Sequence, residues 1–192
     1  IERLRISQNY FLRKWDIENI MTALKSITFP DSANFARIRL RISQDSKANT
    51  EIALLEKKGW GKEKIRICVS SEQTNSNYVF LYHKTTNRSF YDSNLVKAHK
   101  NGFDEILFIN EKKELTEGAI TNFFIQKKNR WLTPKLSCGL LPGIWRKRMI
   151  KELNATESSI KIEDLFSADE IIVGNSVRSG IKAFIPNSDF ML

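Results

Sequence analysis

Cysteine and histidine are scarce in this 192-residue sequence, with two of each: Cys68 and Cys138, His83 and His99. No CxxC pair occurs, and neither histidine stands at ligand-like spacing to a cysteine, which excludes a structural zinc site and leaves no metal to expect. A chain of this length buries a core without covalent help, so a disulfide scaffold is excluded too. No apolar run approaches the ~20 residues that a membrane-spanning helix needs, and no secretory apolar segment opens the chain. These absences lead us to expect a cytoplasmic protein without membrane contact. The composition, 41% hydrophobic and 28% charged, is that of a globular chain rather than a disordered one.

Lysine and arginine number 31 against 22 acids, a net charge of +9, which favours an anionic partner. The positive residues are interleaved with acids, as in Glu56-Lys57-Lys58 and Glu111-Lys112-Lys113-Glu114. No long basic block, zinc-finger or RNA-binding signature stands out, so a small anionic substrate or cofactor is preferred to nucleic acid. A basic, non-catalytic nucleic-acid-binding protein is kept as the rival from another class.

Helical spacing of Leu4, Ile6, Tyr10, Phe11 and Leu12, then of Ile17, Ile20, Met21 and Leu24, predicts two helices over 3–15 and 16–27. Residues 36–43 alternate strictly, Ile38, Leu40 and Ile42 against Arg37, Arg39 and Arg41, which predicts a strand. Further strands are expected over 50–55 and 64–69. The polar stretch 70–77 has the composition of a connection, so we expect domains at 1–71 and 72–192. Beyond it the pattern predicts an apolar strand over 78–82, a helix over 89–100 ended by Gly102, and a strand over 104–109. Strands at 120–126 and 131–133, a helix over 144–153 led by Pro142-Gly143, and a strand over 169–173 follow.

One segment concentrates chemistry: Glu117-Gly118-Ala119-Ile120-Thr121-Asn122-Phe123-Phe124, then Thr133-Pro134, then Leu141-Pro142-Gly143-Ile144-Trp145-Arg146. Read locally, Glu117 is either a solvated turn residue or a carboxylate held beside an apolar strand for a purpose. Gly143 is either a plain helix entry or the start of an anion site, where free backbone N–H groups and the helix dipole point at a ligand. The whole pattern resembles the signature of the class IV aminotransferases, pyridoxal-phosphate enzymes of fold type IV that include branched-chain and D-amino acid transaminases and aminodeoxychorismate lyase. Glu2-Arg3-Leu4-Arg5-Ile6-Ser7 is similar to the family's early helix motif, so the likeness covers nearly the whole chain. In the family one or two strands with a Phe-Glu-Thr-like stretch precede that motif, and Ile1 begins inside it.

The resemblance implies an α+β fold: a small N-terminal α/β domain lacking its first strands, and a larger C-terminal α/β pseudobarrel domain that binds the cofactor, pyridoxal 5'-phosphate. It assigns Lys84, in Tyr82-His83-Lys84-Thr85-Thr86-Asn87-Arg88, as the catalytic amine that carries the cofactor, partly desolvated behind an apolar strand. It sets Glu117 against the pyridine nitrogen, with Asn122 beside it. The phosphate falls to Arg3, to Gly143 and the backbone at Ile144 and Trp145, and to Asn175 and Ser176. Trp145 departs from the family, which often has threonine there, so a backbone contact alone is expected from it. Asn87-Arg88 after the lysine resembles the lyase branch, where branched-chain transaminases commonly show Asn-Tyr. Arg88 either touches substrate or caps the next helix, and Arg39 and Arg178, with Arg37 and Arg41, either meet substrate carboxylates or face solvent. The function implied is 4-amino-4-deoxychorismate lyase, giving pyruvate and 4-aminobenzoate for folate biosynthesis, with a branched-chain or D-amino acid aminotransferase as the alternative. A homodimer acting on a small amino substrate is expected.

Overall fold

The computed structural model describes residues 1–29, 34–55, 59–186 and 190–192, and the chain divides into two compact units, Ile1–Lys58 and Gly59–Leu192. The charge triplet at 56–58 lies outside the described residues.

The first unit holds α1 (Glu2–Tyr10), α2 (Ile17–Lys25) and a hairpin of β1 (Phe35–Ile42) and β2 (Ala48–Leu55). The Asp16 carboxylate starts α2 by accepting from the Asn19 backbone N–H at 2.9 Å, a side-chain cap for an otherwise orphaned donor. Asn19 in turn accepts from the Ala48 N–H at 2.9 Å and ties α2 to β2. Alternation in β1 half-buries Ala36, Leu40 and Ile42 and exposes the three arginines, as a period of two requires. Ile38 is the exception: opposite Ile52, it is itself exposed.

The second unit is built on an eight-stranded curled sheet, a half-barrel, in the order β5-β4-β3-β10-β9-β6-β7-β8. Its strands are β3 (Lys64–Thr74), β4 (Glu105–Asn110), β5 (Leu115–Gly118), β6 (Asn122–Lys127), β7 (Arg130–Pro134), β8 (Thr156–Ser158), β9 (Glu170–Asn175) and β10 (Ser179–Phe184). β3 runs parallel to β4 and β10, and β7 to β8, while the remaining pairs are antiparallel. α3 (Ser89–Lys100), α4 (Ile144–Glu152) and the short α5 (Ile162–Phe166) complete the unit. β4 is buried along its whole length, and its alternating side chains feed two cores. Leu107 and Ile109 join Val69, Phe123 and Val173 on one side, while Ile106 and Phe108 meet Tyr91 and Ala98 of α3 on the other. That double burial explains why 106–109 reads as an unbroken apolar run.

Two expectations are corrected. The boundary placed at 71/72 falls inside β3, and the units part instead between Lys58 and Gly59. The polar residues of 70–74 stay extended because the main chain there is paired elsewhere: Ser71 N–H and Oγ both donate to the Leu192 carbonyl, at 2.7 and 2.8 Å. The apolar segment 78–82 forms a 3-10 turn, Val79–Leu81, rather than a strand. Only Leu81 of that turn is buried, and a run this short carries no period to tell the two apart.

Candidate active site

Glu117 is the penultimate residue of β5, just before the three-residue loop that leads from Gly118 into β6, and is 7% exposed. Its Oε1 accepts from the Tyr91 hydroxyl at 3.1 Å, and its Oε2 from the Asn122 amide at 3.2 Å. Burial pushes the carboxyl up to about 7, against the opposing pull of a backbone contact at Leu141, the Tyr91 hydrogen bond and the nearby charges of Lys84 and Arg88. Glu117 is therefore a buried carboxyl and not a solvated turn residue. Burial also raises the Tyr91 phenol, which keeps it a donor to Glu117.

Lys84 stands in the irregular segment between the 3-10 turn and α3 and is exposed in this chain, where partial desolvation was expected. It is close enough to Glu117 to act on the carboxyl electrostatically. Its neighbour His83 is buried, and burial lowers its pKa.

Asn122 bridges Glu117 and the Leu141 carbonyl, to which its amide donates at 3.1 Å. Gly143 packs against that amide, and a Cβ there would sit 2.0 Å from Asn122 Oδ1, so no other residue fits without displacing the bridge. Gly143 opens α4 without a side-chain cap, which leaves the N–H groups of Ile144 and Trp145 at the positive end of a nine-residue helix. The Trp145 ring turns inward instead. It meets Phe124 edge-on at 5.6 Å and lies where a Cβ on Gly174 would come within 2.5 Å, and its buried Nε1 has no partner among the described residues.

Asn175 closes the turn after β9: its Oδ1 accepts from the Val177 and Arg178 N–H groups, and its amide donates to the Ile120 carbonyl at 3.0 Å. Ser176 is exposed in that turn. Lys84, Glu117, Asn122, Gly143 to Trp145, and Asn175 and Ser176 thus all belong to the second unit.

The arginines divide differently. Arg88 donates to the Ala119 carbonyl at 2.6 Å, reaches Asp92 at 3.4 Å and lies over the Tyr91 ring at 5.4 Å. Its contacts in this chain therefore brace the loop after Glu117. Arg178 lies over the Trp60 ring at 4.9 Å. Arg3 is on α1 and Arg39 on β1, both in the first unit, where Arg39 and Arg41 pair with Glu51 at 3.5 and 3.0 Å.

Tyr91 and Glu105 escaped the sequence reading. Tyr91 shares a buried α3 face with Asn94 and Ala98 at helical spacing, a signal that was there to use. Glu105 stands next to Asp104 at the start of β4, and nothing in the sequence sets the one acid apart from the other.

A family model for class IV amino-transferases matches residues 1–183. The chain belongs to that family. A structure from Mesorhizobium loti named for amino-acid aminotransferase activity has a TM-score of 0.87 and 30% identity, over 96% of this chain and 89% of that one. Aminodeoxychorismate lyase of Saccharomyces cerevisiae is 30% identical over 137 residues, 62% of this chain and 36% of its own length. A probable branched-chain-amino-acid aminotransferase of Thermotoga maritima is 30% identical over 74 residues, 36% of this chain and 27% of its own length. The chain spans less than half the length of these two curated relatives.

The fold is therefore that of the fold type IV enzymes, and pyridoxal 5'-phosphate is the cofactor of the family. The residues present fit it: a buried carboxyl that keeps its proton near neutrality suits a pyridine nitrogen, and an uncapped helix start suits a phosphate. Among the described residues no cluster of three metal-ligating side chains occurs, and no helix is long and apolar enough to cross a membrane.

Proposed function

We propose that this protein is a pyridoxal-phosphate-dependent 4-amino-4-deoxychorismate lyase that releases pyruvate and leaves 4-aminobenzoate. The observation that carries the reading is the buried Glu117, held by Tyr91 and Asn122 within electrostatic reach of Lys84. The cofactor, when bound, supplies an aldehyde that captures the substrate amine and a ring that accepts the electrons released at the adjacent carbon.

The chain's own residues do the rest. Glu117 would face the ring nitrogen and share a proton with it, and its burial at 7% exposure keeps bulk water from competing for that contact. Tyr91 and Asn122 hold that carboxyl by its two oxygens, so it keeps one orientation. The N–H groups at Ile144 and Trp145 and the turn at Asn175 and Ser176 would hold the phosphate within the second unit, and Arg3 of the first unit is a separate candidate for it. Lys84 takes the proton from the carbon that bears the amine and returns one as pyruvate departs, acting as base and then acid.

Asn87-Arg88 after the lysine and the yeast relative support the lyase over the transaminase. The Thermotoga relative supports the second reading, an aminotransferase on branched-chain or D-amino acids, in which Lys84 moves the proton between substrate and cofactor. Arg88 and Arg178 are the second unit's candidates for substrate carboxylates in either reading, and Arg39 is a separate candidate on the first unit. A cytoplasmic homodimer completes the proposal, and gel filtration showing only monomer would count against it.

The test supplies 4-amino-4-deoxychorismate to the cofactor-saturated protein and measures both products. Equal amounts of pyruvate and 4-aminobenzoate, lost in Lys84→Ala, are expected. A keto acid from an added amino acid, without pyruvate elimination, gives the transaminase instead.

A further inference from the structure

Glu105, the first residue of β4, is completely buried, and no lysine, arginine or histidine pairs with it among the described residues. Its carboxylate is nevertheless saturated with donors. Oε1 accepts from the Ile106 and Ala119 N–H groups at 2.9 and 3.0 Å, and Oε2 accepts from the Ile120 N–H at 3.1 Å and the Thr121 hydroxyl at 2.8 Å. Three of these donors come from consecutive residues of the loop between Glu117 and Asn122. Gly118 is packed onto the same carboxylate, where a Cβ would meet Thr121 Oγ1 at 2.3 Å and the Glu105 carboxyl at 2.9 Å.

The carbonyls of this loop are held from the other side. Ala119 accepts from Arg88 at 2.6 Å and Ile120 from Asn175 at 3.0 Å, while the Thr121 carbonyl accepts from the Gly118 N–H at 2.8 Å. A surface turn needs no such enclosure, and a buried carboxyl without a cation is costly to keep. Glu105 satisfies the Ile120 N–H and the Thr121 hydroxyl and shares the Ala119 N–H with the Ile106 carbonyl, and in doing so it braces the chain between Glu117 and Asn122.

We propose that Glu105 is a positioning residue for the active site, acting through the 118–121 loop to hold Glu117 and Asn122 in register with one another. The inference rests on the reading of Glu117 as the acid facing the cofactor ring. It assigns Glu105 no contact with substrate or cofactor.

Glu105→Gln keeps the shape but turns one acceptor oxygen into a donor, which then opposes the Ile120 N–H. The cofactor's dissociation constant, followed by its absorbance, should rise about tenfold, the effect of one spoiled buried hydrogen bond. In cofactor-free protein the Glu117 carboxyl, followed by carbon-13 NMR, should titrate lower than in wild type because water reaches it. Thr121→Val removes a single donor and should raise the dissociation constant by about two- to threefold and shift the Glu117 titration the same way as Glu105→Gln, and it decides the matter should Glu105→Gln not fold. Ile160→Val, a core change at a fully buried site, serves as the purely structural control and should lower only the melting temperature. Folded Glu105→Gln and Thr121→Val proteins with wild-type affinity and wild-type Glu117 titration would overturn the proposal, provided Glu117→Gln weakens cofactor binding. Unaltered binding in Glu117→Gln would overturn the underlying reading of the site instead.

Discussion

The two units of this chain bury their apolar residues to different degrees. In Ile1–Lys58 a single hydrophobic side chain, Ile20, is fully buried among the described residues, and Ile38, Ile52 and Leu54 of the hairpin are exposed. In Gly59–Leu192 two clusters close on either face of β4, with Phe108, Phe123 and Phe124 inaccessible to solvent. The difference accounts for where the chemistry sits. A carboxyl is held protonated near neutrality only where packing excludes water on every side, and the second unit supplies that interior.

The largest test of this contrast compares core truncations. Phe123→Ala should cost about 3–5 kcal/mol in chemical denaturation, the loss expected for an aromatic ring removed from a fully buried site. Leu40→Ala, in the half-buried face of β1, should cost about 1 kcal/mol. Equal losses would show that the first unit is as firmly packed as the second and would remove the contrast.

The same packing decides what could be read in the sequence. The helix 89–100 was legible to the residue, with Gly102 marking its end, where the structure has a positive φ of 78°. α2 was legible from the helical spacing of Ile17, Ile20, Met21 and Leu24, and Asp16 caps its start. β5, β8, α5 and β10 were not legible: they are short, and β10 is held by pairing with β3 and β9, far away in sequence. Of the site, Glu117, Asn122 and Gly143 were found through a motif, and their mutual contact was not visible in it. Glu105 was hidden for a related reason. Its role consists of four hydrogen bonds, three of them to residues fourteen to sixteen positions away, and nothing adjacent to it in the chain records them.

A second, smaller test uses pH. Glu117 titrates in the folded state at about 7, above its ordinary value of 4.5, because it is buried. The folded state therefore binds more protons than the unfolded one between these limits, and this group's contribution to stability falls as pH rises from about 4.5 to 7 and is flat above. Buried His83, whose pKa is lowered, slopes the opposite way over part of the window, so the informative quantity is the difference between wild type and Glu117→Gln. That difference should move in favour of the variant with rising pH, by about 3 kcal/mol across the window. A pH-independent difference would mean that Glu117 is ionised and hydrated in the folded protein.

The smallest effect belongs to the first unit. Arg39 and Arg41 meet Glu51 across the hairpin at 3.5 and 3.0 Å, with all three side chains about half exposed. Exposed pairs of this kind contribute about 0.2–1 kcal/mol, since solvent screens the attraction and two long side chains lose freedom to make it. Glu51→Gln should thus lower stability by less than about 1 kcal/mol, and the loss should fade in high salt. The same variant releases both guanidinium groups from their only acidic partner described on this face. If those arginines serve an anionic substrate, Glu51→Gln should improve the Michaelis constant while leaving stability almost unchanged, whereas a solvated strand face would alter neither. A loss as large as that of Phe123→Ala would instead mean that the hairpin depends on its charges as the second unit depends on its core.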